Sequence, residues 1–280
     1  MNSASPTVRR RRLAAELRRL REESGLTADQ VAKEVGISKS TLSRIENAQV
    51  SVMVPVARSL LALYGVARDD IEALAQIARD ARQRGWWQAY DHVLPEWFST
   101  YVGLEAEASE IKTFETQLVP GVLQTPDYAR AVISAEHPDA AAAEIERRVE
   151  LRMRRQQLDT PPRLWAVIDE GVLHRPVGGR ATMGDQIERM MEAAQQPRVN
   201  VQVIPFSAGE YGSMGSSFSI LSFNTPDAGV AYIEYRYGAL YLEGDQVSQY
   251  ENLMAHLTAV ALGPRESVAV MKRALAHIGR

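Results

Sequence analysis

Cysteine is absent from this 280-residue chain. That excludes disulfide staples, thiolate zinc sites and cysteine nucleophiles. Aromatic residues are few, at 7%, and lysine is scarcer still, with four lysines against 28 arginines. No apolar run approaches the ~18–20 residues needed to span a bilayer. The arginine-rich N-terminus also lacks the apolar stretch that a secretory signal carries behind its charges. A cytoplasmic chain is the expectation. What remains is the composition of a folded protein, 45% hydrophobic and 24% charged. A length prior of roughly 150 residues per domain predicts about two domains.

The net charge of −3 hides a split. Residues 1–84 hold 15 Arg/Lys and 10 Asp/Glu, or +5, whereas the other 196 residues hold 17 and 25, or −8. A basic first third on an acidic body is the asymmetry expected when one domain faces a polyanion and the rest does not.

The basic third is densely helical in pattern. Thr7 can cap a helix with Leu13, Leu17 and Leu20 on one face, ended by Gly25. Thr27 caps a short second helix with Val31, Ala32 and Val35 inward. Gly36 is free to take a positive φ, Ile37 plugs the turn, and Ser38 caps a third helix with Leu42 and Ile45 buried. Ser51 starts a fourth helix through Val56, Leu60 and Leu63, with Pro55 tolerated in its first turns. Two helices joined by so short a turn cross steeply only if the first offers a small residue at the crossing, and Ala32 is that residue. The spacing therefore predicts a helix-turn-helix.

The chemistry follows from the wet face. With positions 42 and 45 inward, Lys39, Ser40, Thr41 and Arg44 lie where a recognition helix reads base edges in the major groove. Arg44 and Lys39 suit guanine O6/N7, while Ser40 or Thr41 can reach a base edge or a thymine methyl. Phosphate contacts are assigned to the helix N-termini at Thr27 and Ser38, and to Ser43 and Gln49. The run Arg9, Arg10, Arg11 and Arg12 opposes the dipole of its own helix, a cost that a nearby anion would remove, so these four are assigned to phosphates or to the minor groove.

The stretch LRRLREESGLTADQVAKEVGISKSTLSRIENAQVSV resembles the phage-repressor (Cro/C1-type, XRE) helix-turn-helix family. The resemblance implies an ion pair between Arg21 and Glu46, tying the first helix to the end of the third. Two positions depart from the family. Ala28 stands where a glutamine often braces the recognition helix, and the loop Ala48, Gln49, Val50, Ser51 lacks the usual basic residues. Both departures shift weight onto the arginine run.

The body reads differently. Residues 69–94 are assigned to a connecting helix (Asp69 to Arg84) and an aromatic linker, and Trp86, Trp87, Trp97 and Phe98 to packing between domains. Helices are expected near Phe98–Ala108, Ala140–Leu158, Met183–Ala194, Asp245–Leu262 and Pro264–His277. Arg147, Arg148, Arg152, Arg154 and Arg155 of the second of these read as a solvated array alternating with glutamates. Short apolar or period-two runs mark strands at Ile111–Thr116, Leu164–Asp169, Val199–Pro205, Phe218–Phe223 and Val230–Tyr237, the last two suited to a hairpin. The expected fold is an N-terminal all-α helix-turn-helix domain of about five helices (1–68), then an α+β domain (95–280) for effector binding and dimerisation.

Catalytic signatures are missing. The five histidines are scattered, and there is no HExxH, GxSxG or Walker loop. His174 beside Asp169 and Glu170 reads as structural, and no cofactor or metal site is expected. A phospholipase D-like phosphodiesterase would need a lysine two residues after a histidine; Lys112 and Lys272, the body's only lysines, do not comply. A small-molecule pocket using Tyr128, Trp165, Tyr211 or Tyr241 is the other alternative, although core packing accounts for each residue equally well.

The segments VPGVLQTPDYARAVI, RVELRMRRQQL, VIDEGVLHRPVGG, VNVQVIPFSAGEYGSMGSSFSIL and VAYIEY resemble the C-terminal domain of actinobacterial, antitoxin-like XRE regulators of the WhiJ-like group. That resemblance implies a transcriptional regulator in an actinomycete and a small partner protein encoded nearby. Its DNA target would be double-stranded, and a homodimer would match the two-fold symmetry of an operator.

Overall fold

The structure is a computed structural model that describes residues 6–81, 85–224 and 229–279. The chain divides into two units, Met1–Gln88 and Ala89–Arg280.

The first unit is all-α: α1 (Pro6–Glu23), α2 (Ala28–Val35), α3 (Lys39–Glu46), α4 (Val54–Leu63) and α5 (Arg68–Asp80). Leu13 and Leu17 of α1 meet Val31 of α2, Leu42 and Ile45 of α3, and Ala57, Leu60 and Leu61 of α4 in one buried cluster. Burying such side chains stabilises by roughly 1.5–3 kcal/mol each before conformational entropy is charged against it. Three details differ from expectation. Helix α1 runs from Pro6, and the Thr7 side chain lies outside the described residues. Helix α4 begins at Val54 after Met53, with Pro55 in its first turn; Ser51, three residues upstream of that start, instead donates to the Ala81 carbonyl at 3.3 Å. Helix α5 belongs to this core rather than to a connector: Ala78 is in the buried cluster, and Ile71, Leu74 and Ile77 pack against it. The apolar stripe of α5 is as periodic as that of the preceding helices, so it buries the same way.

The second unit is α+β. Its elements are α6 (Glu96–Glu105), β1 (Glu110–Glu115), α7 (Pro126–Glu136), α8 (Ala142–Arg155), β2 (Arg163–Asp169), α9 (Arg180–Ala193), β3 (Val199–Ile204), β4 (Phe218–Ser222), β5 (Val230–Tyr235), β6 (Gly238–Leu242), α10 (Asp245–Val260) and α11 (Pro264–Ile278). The strands form one mixed sheet in the order β3-β2-β1-β4-β5-β6. The three strands β1, β2 and β3 are parallel, linked by helical crossovers, and β4, β5 and β6 add antiparallel neighbours.

Alternation along the strands sorts the two faces. Phe114, Val167, Ile204, Phe218, Ile220 and Ala231 pack under Val247, Met254 and Leu257 of α10. The opposite face carries Thr113, Ser219 and Tyr232 in register across β1, β4 and β5, and Tyr232 meets Tyr101 of α6 with ring centroids 4.3 Å apart. Two elements go beyond the sequence expectation. Helix α7 starts at Thr125–Pro126, the threonine accepting from Tyr128 N. Strand β6 returns from β5 through a two-residue turn at Arg236–Tyr237, so the run expected as Val230–Tyr237 is one strand and part of a hairpin.

Candidate nucleic-acid interface

Helix α2 is held at both ends. Thr27 accepts from Gln30 N at 3.3 Å while Gln30 Oε1 accepts from Thr27 N at 2.9 Å, a reciprocal capping box. At the other end Gly36 takes φ +75°, a left-handed conformation that reverses the chain at no steric cost. Ser38 then caps α3: its Oγ accepts from Thr41 N at 3.0 Å and stands 2.8 Å from the hydroxyls of Ser40 and Thr41. Val31 and Ala32 of α2 and Leu42 and Ile45 of α3 are buried, which fixes the rotation of α3 about its own axis.

That rotation decides what solvent sees. Lys39, Ser40, Ser43 and Arg44 are exposed and Thr41 is half-buried. Lys39 Nζ donates to Asp29 Oδ2 of α2 at 2.8 Å. An exposed pair of this kind is worth about 0–1 kcal/mol and gives way readily to a stronger acceptor. Arg44 is likewise exposed and makes no ion pair among the described residues. Ser43 is engaged with the α3 terminus: Asn47 Nδ2 donates to the Ser43 carbonyl at 2.8 Å and to its Oγ at 3.3 Å. Gln49 is exposed in the following loop.

Two features frame the recognition helix. Arg21 of α1 grips Glu46 with two hydrogen bonds, Nε to Oε1 at 2.7 Å and Nη2 to Oε2 at 3.1 Å, and Nη1 reaches the Leu26 carbonyl at 3.3 Å. The pair is largely withdrawn from solvent, and the Glu46 carboxylate pushes the Arg21 guanidinium further above its ordinary range. Beyond α3 the chain closes in a Schellman arrangement, with Ala48 N donating to Ile45 O at 3.0 Å and Gln49 N to Arg44 O at 2.8 Å. Ala48 occupies the left-handed position, φ +55°, that glycine usually fills.

Arg9, Arg10, Arg11 and Arg12 lie within α1. Successive helical residues are turned by about 100°, so four in a row spread round most of the circumference and cannot all meet one duplex. Arg12 is exposed and the other three are half-buried.

In the second unit, the acids near His174 hold local structure, and His174 Nε2 stands 3.5 Å from Glu170 Oε1. Asp169 accepts from Gly171 N at 2.7 Å and from Tyr211 Oη at 2.6 Å, and Glu170 accepts from Phe206 N at 2.7 Å. The four aromatics considered for a pocket do not converge. Trp165 and Tyr211 pack on the α10 face, and Trp165 Nε1 donates to Gln202 at 2.7 Å; Tyr128 is fully buried on α7, and the Tyr241 hydroxyl donates to the Trp97 carbonyl. Nor is the arginine array of α8 uniformly solvated. Arg155 is buried, with Nε to Glu105 Oε2 at 2.6 Å and Nη2 to Glu105 Oε1 at 2.8 Å, and Arg152 is half-buried. Helical spacing explains this, since 152 and 155 fall three and four residues after the buried Val149 and Leu151.

A helix-turn-helix whose second helix offers a basic, hydroxyl-rich face to solvent defines a DNA-binding regulator. Comparison with known families agrees: residues 12–74 match a helix-turn-helix domain family. Residues 98–273, more than half of the chain, match the family described as a domain of unknown function, DUF5753, and the protein belongs to that family. No curated protein and no solved structure matches the chain. No helix among the described residues is long and apolar enough to cross a membrane.

Proposed function

We propose that this protein is a sequence-specific, antitoxin-like transcriptional regulator that acts in the cytoplasm and is not an enzyme. Lys39, Ser40, Thr41 and Arg44 read base edges, and Thr27, Ser38, Ser43, Gln49 and about two of the four residues Arg9 to Arg12 contact phosphates. The observation that carries this reading is the exposure of Arg44 and Lys39 on a helix whose opposite face is locked into a core. The second unit receives a ligand or a small partner protein and pairs two copies on a two-fold operator, with half-sites roughly 34 Å apart. The exposed Tyr235, Tyr237 and Leu240 on the β5–β6 hairpin, at the sheet's edge strand, support a second copy as the occupant of that edge. Against a phospholipase D-like phosphodiesterase, Lys112 is engaged with Glu251 at 2.6 Å and does not stand two residues after a histidine.

Genome-wide crosslinking would supply the operator, and fluorescence anisotropy on that duplex then tests the readout. Arg44→Ala should cost about 1–3 kcal/mol on the operator and relax preference at one base position. An equal loss on random DNA would mean that Arg44 contacts phosphate and that direct readout is misassigned.

A further inference from the structure

The face of the sheet opposite α10 is unusually polar where β1, β4 and β5 run out towards the carboxyl end of β1. Thr113, Ser219 and Tyr232 form one cross-strand row, with Ser219 Oγ donating to Thr113 Oγ1 at 3.0 Å. Continuing both registers two residues further brings Glu115, Ser217 and Glu234 into a second row, nearer the sheet's end. Thr116 N donates to Ser217 Oγ at 3.2 Å, and Tyr232 Oη donates to Glu234 Oε2 at 2.7 Å.

Helices α6 and α8 bring more polar groups to the same region. The buried Glu105–Arg155 pair lies beside Tyr101, with the guanidinium 5.1 Å from the Phe98 ring centre and 5.4 Å from that of Tyr101. Arg152 is different. Its Nη1 donates to the neutral Gln124 Oε1 at 2.6 Å, and it has no carboxylate within ion-pair distance among the described residues. A Cβ on Gly121 would stand 3.5 Å from Arg152 Nη1 and 3.6 Å from Arg155 Nη2, so two guanidinium groups share one wall. A half-buried cation beside a second cation, hydrogen-bonded only to an amide, carries a desolvation cost that a direct ion pair would offset.

The strand order reverses at β1, where antiparallel β4 joins the parallel strands, and the second row lies at the carboxyl end of β1. Both signs of charge are offered to an incoming molecule: a guanidinium whose one hydrogen-bond partner is an amide, with Glu136, Glu234 and Glu105 acting on it from beyond ion-pair distance, and two carboxyls on the second row, Glu115 half-buried and Glu234 exposed. A dianion would meet Glu115 and Glu234, whereas a simple amine would leave Arg152 without a direct ion pair.

We propose that this layer between the sheet and helices α6 and α8 binds a small zwitterion of the amino-acid class, its carboxylate taken by Arg152 and its ammonium by Glu115 and Glu234. The electrostatics support it. Burial, with Glu234 adding to it, pushes the Glu115 carboxyl up to about 7. Burial, with Arg155 adding to it, brings the Arg152 guanidinium down to about 10. Each group is charged at a penalty that a complementary ligand charge would relieve. The inference rests on the second unit being the ligand-binding part of the regulator and not on DNA recognition.

The test is thermal unfolding and calorimetric titration of the full chain, without DNA, against the twenty amino acids one at a time. Each is compared with the matching amine lacking the carboxylate, the matching acid lacking the amine, and inorganic phosphate. At least one amino acid should raise Tm by on the order of 5 °C near saturation, and each half-molecule should bind at least tenfold more weakly. Arg152→Lys, which keeps the charge and loses the fork, should weaken binding at least tenfold with an unchanged far-UV spectrum. Silence across the twenty amino acids overturns the proposal, as does binding of phosphate or of either half-molecule as tight as that of the zwitterion. The half-molecule comparison uses the native chain, so it decides the matter even if the variant misfolds. Loss of DNA binding in other assays would leave this outcome untouched, and the converse holds as well.

Discussion

Ala48 and Glu115 each hold a conformation or charge state that the residue type resists, and each gives a measurable consequence. Ala48 stands at φ +55° so that Gln49 and Ala48 can close the end of α3. The left-handed region costs a residue with a Cβ roughly 1–2 kcal/mol, while glycine carries an extra entropic cost of roughly 0.5–1 kcal/mol. Ala48→Gly should therefore stabilise the first unit by about 0.5–1 kcal/mol in urea titrations and leave its helix content unchanged. Glu115 gives a pH dependence. Its folded-state pKa of about 7 lies above the ordinary 4.5, so below about 4.5 it is protonated whether the chain is folded or not. As pH climbs from there to 7, the unfolded chain ionises this carboxyl while burial keeps it protonated in the folded protein, and stability falls. The loss levels off above 7 at about 3 kcal/mol. Glu115→Gln should flatten that part of the pH–stability curve, measured as the difference between variant and parent at pH 5 and pH 8. An identical slope in the two would mean that Glu115 titrates normally.

At the scale of elements, the proposed function divides the work of meeting DNA between α1 and α3. Helix α3 is short, capped by Ser38 and fixed by Leu42 and Ile45, so its register in a groove is set by the core. In that proposal helix α1 supplies charge without sequence information. Because Arg9 to Arg12 wind round the helix, about two of the four can approach one phosphate ridge. Replacing all four with glutamine should weaken binding to every duplex alike. It should also reduce the slope of log K against log salt by about 2, at roughly 0.9 for each phosphate that is no longer neutralised. An unchanged slope would show that α1 faces away from the duplex. In the second unit, helix α8 shows how an element's environment redefines its residues. The same arginine-rich sequence is exposed at Arg154 and buried at Arg155, because Glu105 presents a bidentate carboxylate to the latter.

At the scale of the whole molecule, the two units have separate cores, one built on α1 to α5 and one on the six-stranded sheet. Fragments covering residues 1–88 and 89–280 should each unfold cooperatively, the first with a purely helical far-UV spectrum and the second with a mixed one. The first should prefer double-stranded DNA over heparin in competition. If it folds and shows no such preference, the assignment of DNA binding to α3 is wrong.

The local devices of the first unit are legible because they are written in adjacent residues. Thr27, Gly36, Ser38, Leu42 and Ile45 each act within a turn or two of their own position, where capping and helical period leave little choice. The start of α7 is written in the same currency, at Thr125–Pro126, although the segment reads more readily as part of a longer motif. Strand β6 is hidden because its turn is Arg236–Tyr237, without the glycine or asparagine that marks a tight hairpin. The strand order, and with it the meeting of Glu115, Ser217 and Glu234, cannot be read at all. Those residues lie up to 119 positions apart in the chain, and nothing local pairs one strand with another. The sequence thus determined the recognition helix, its caps and its wet face, through interactions between near neighbours. The tertiary structure alone decided which charges the second unit buries, because that depends on which distant element supplies the partner.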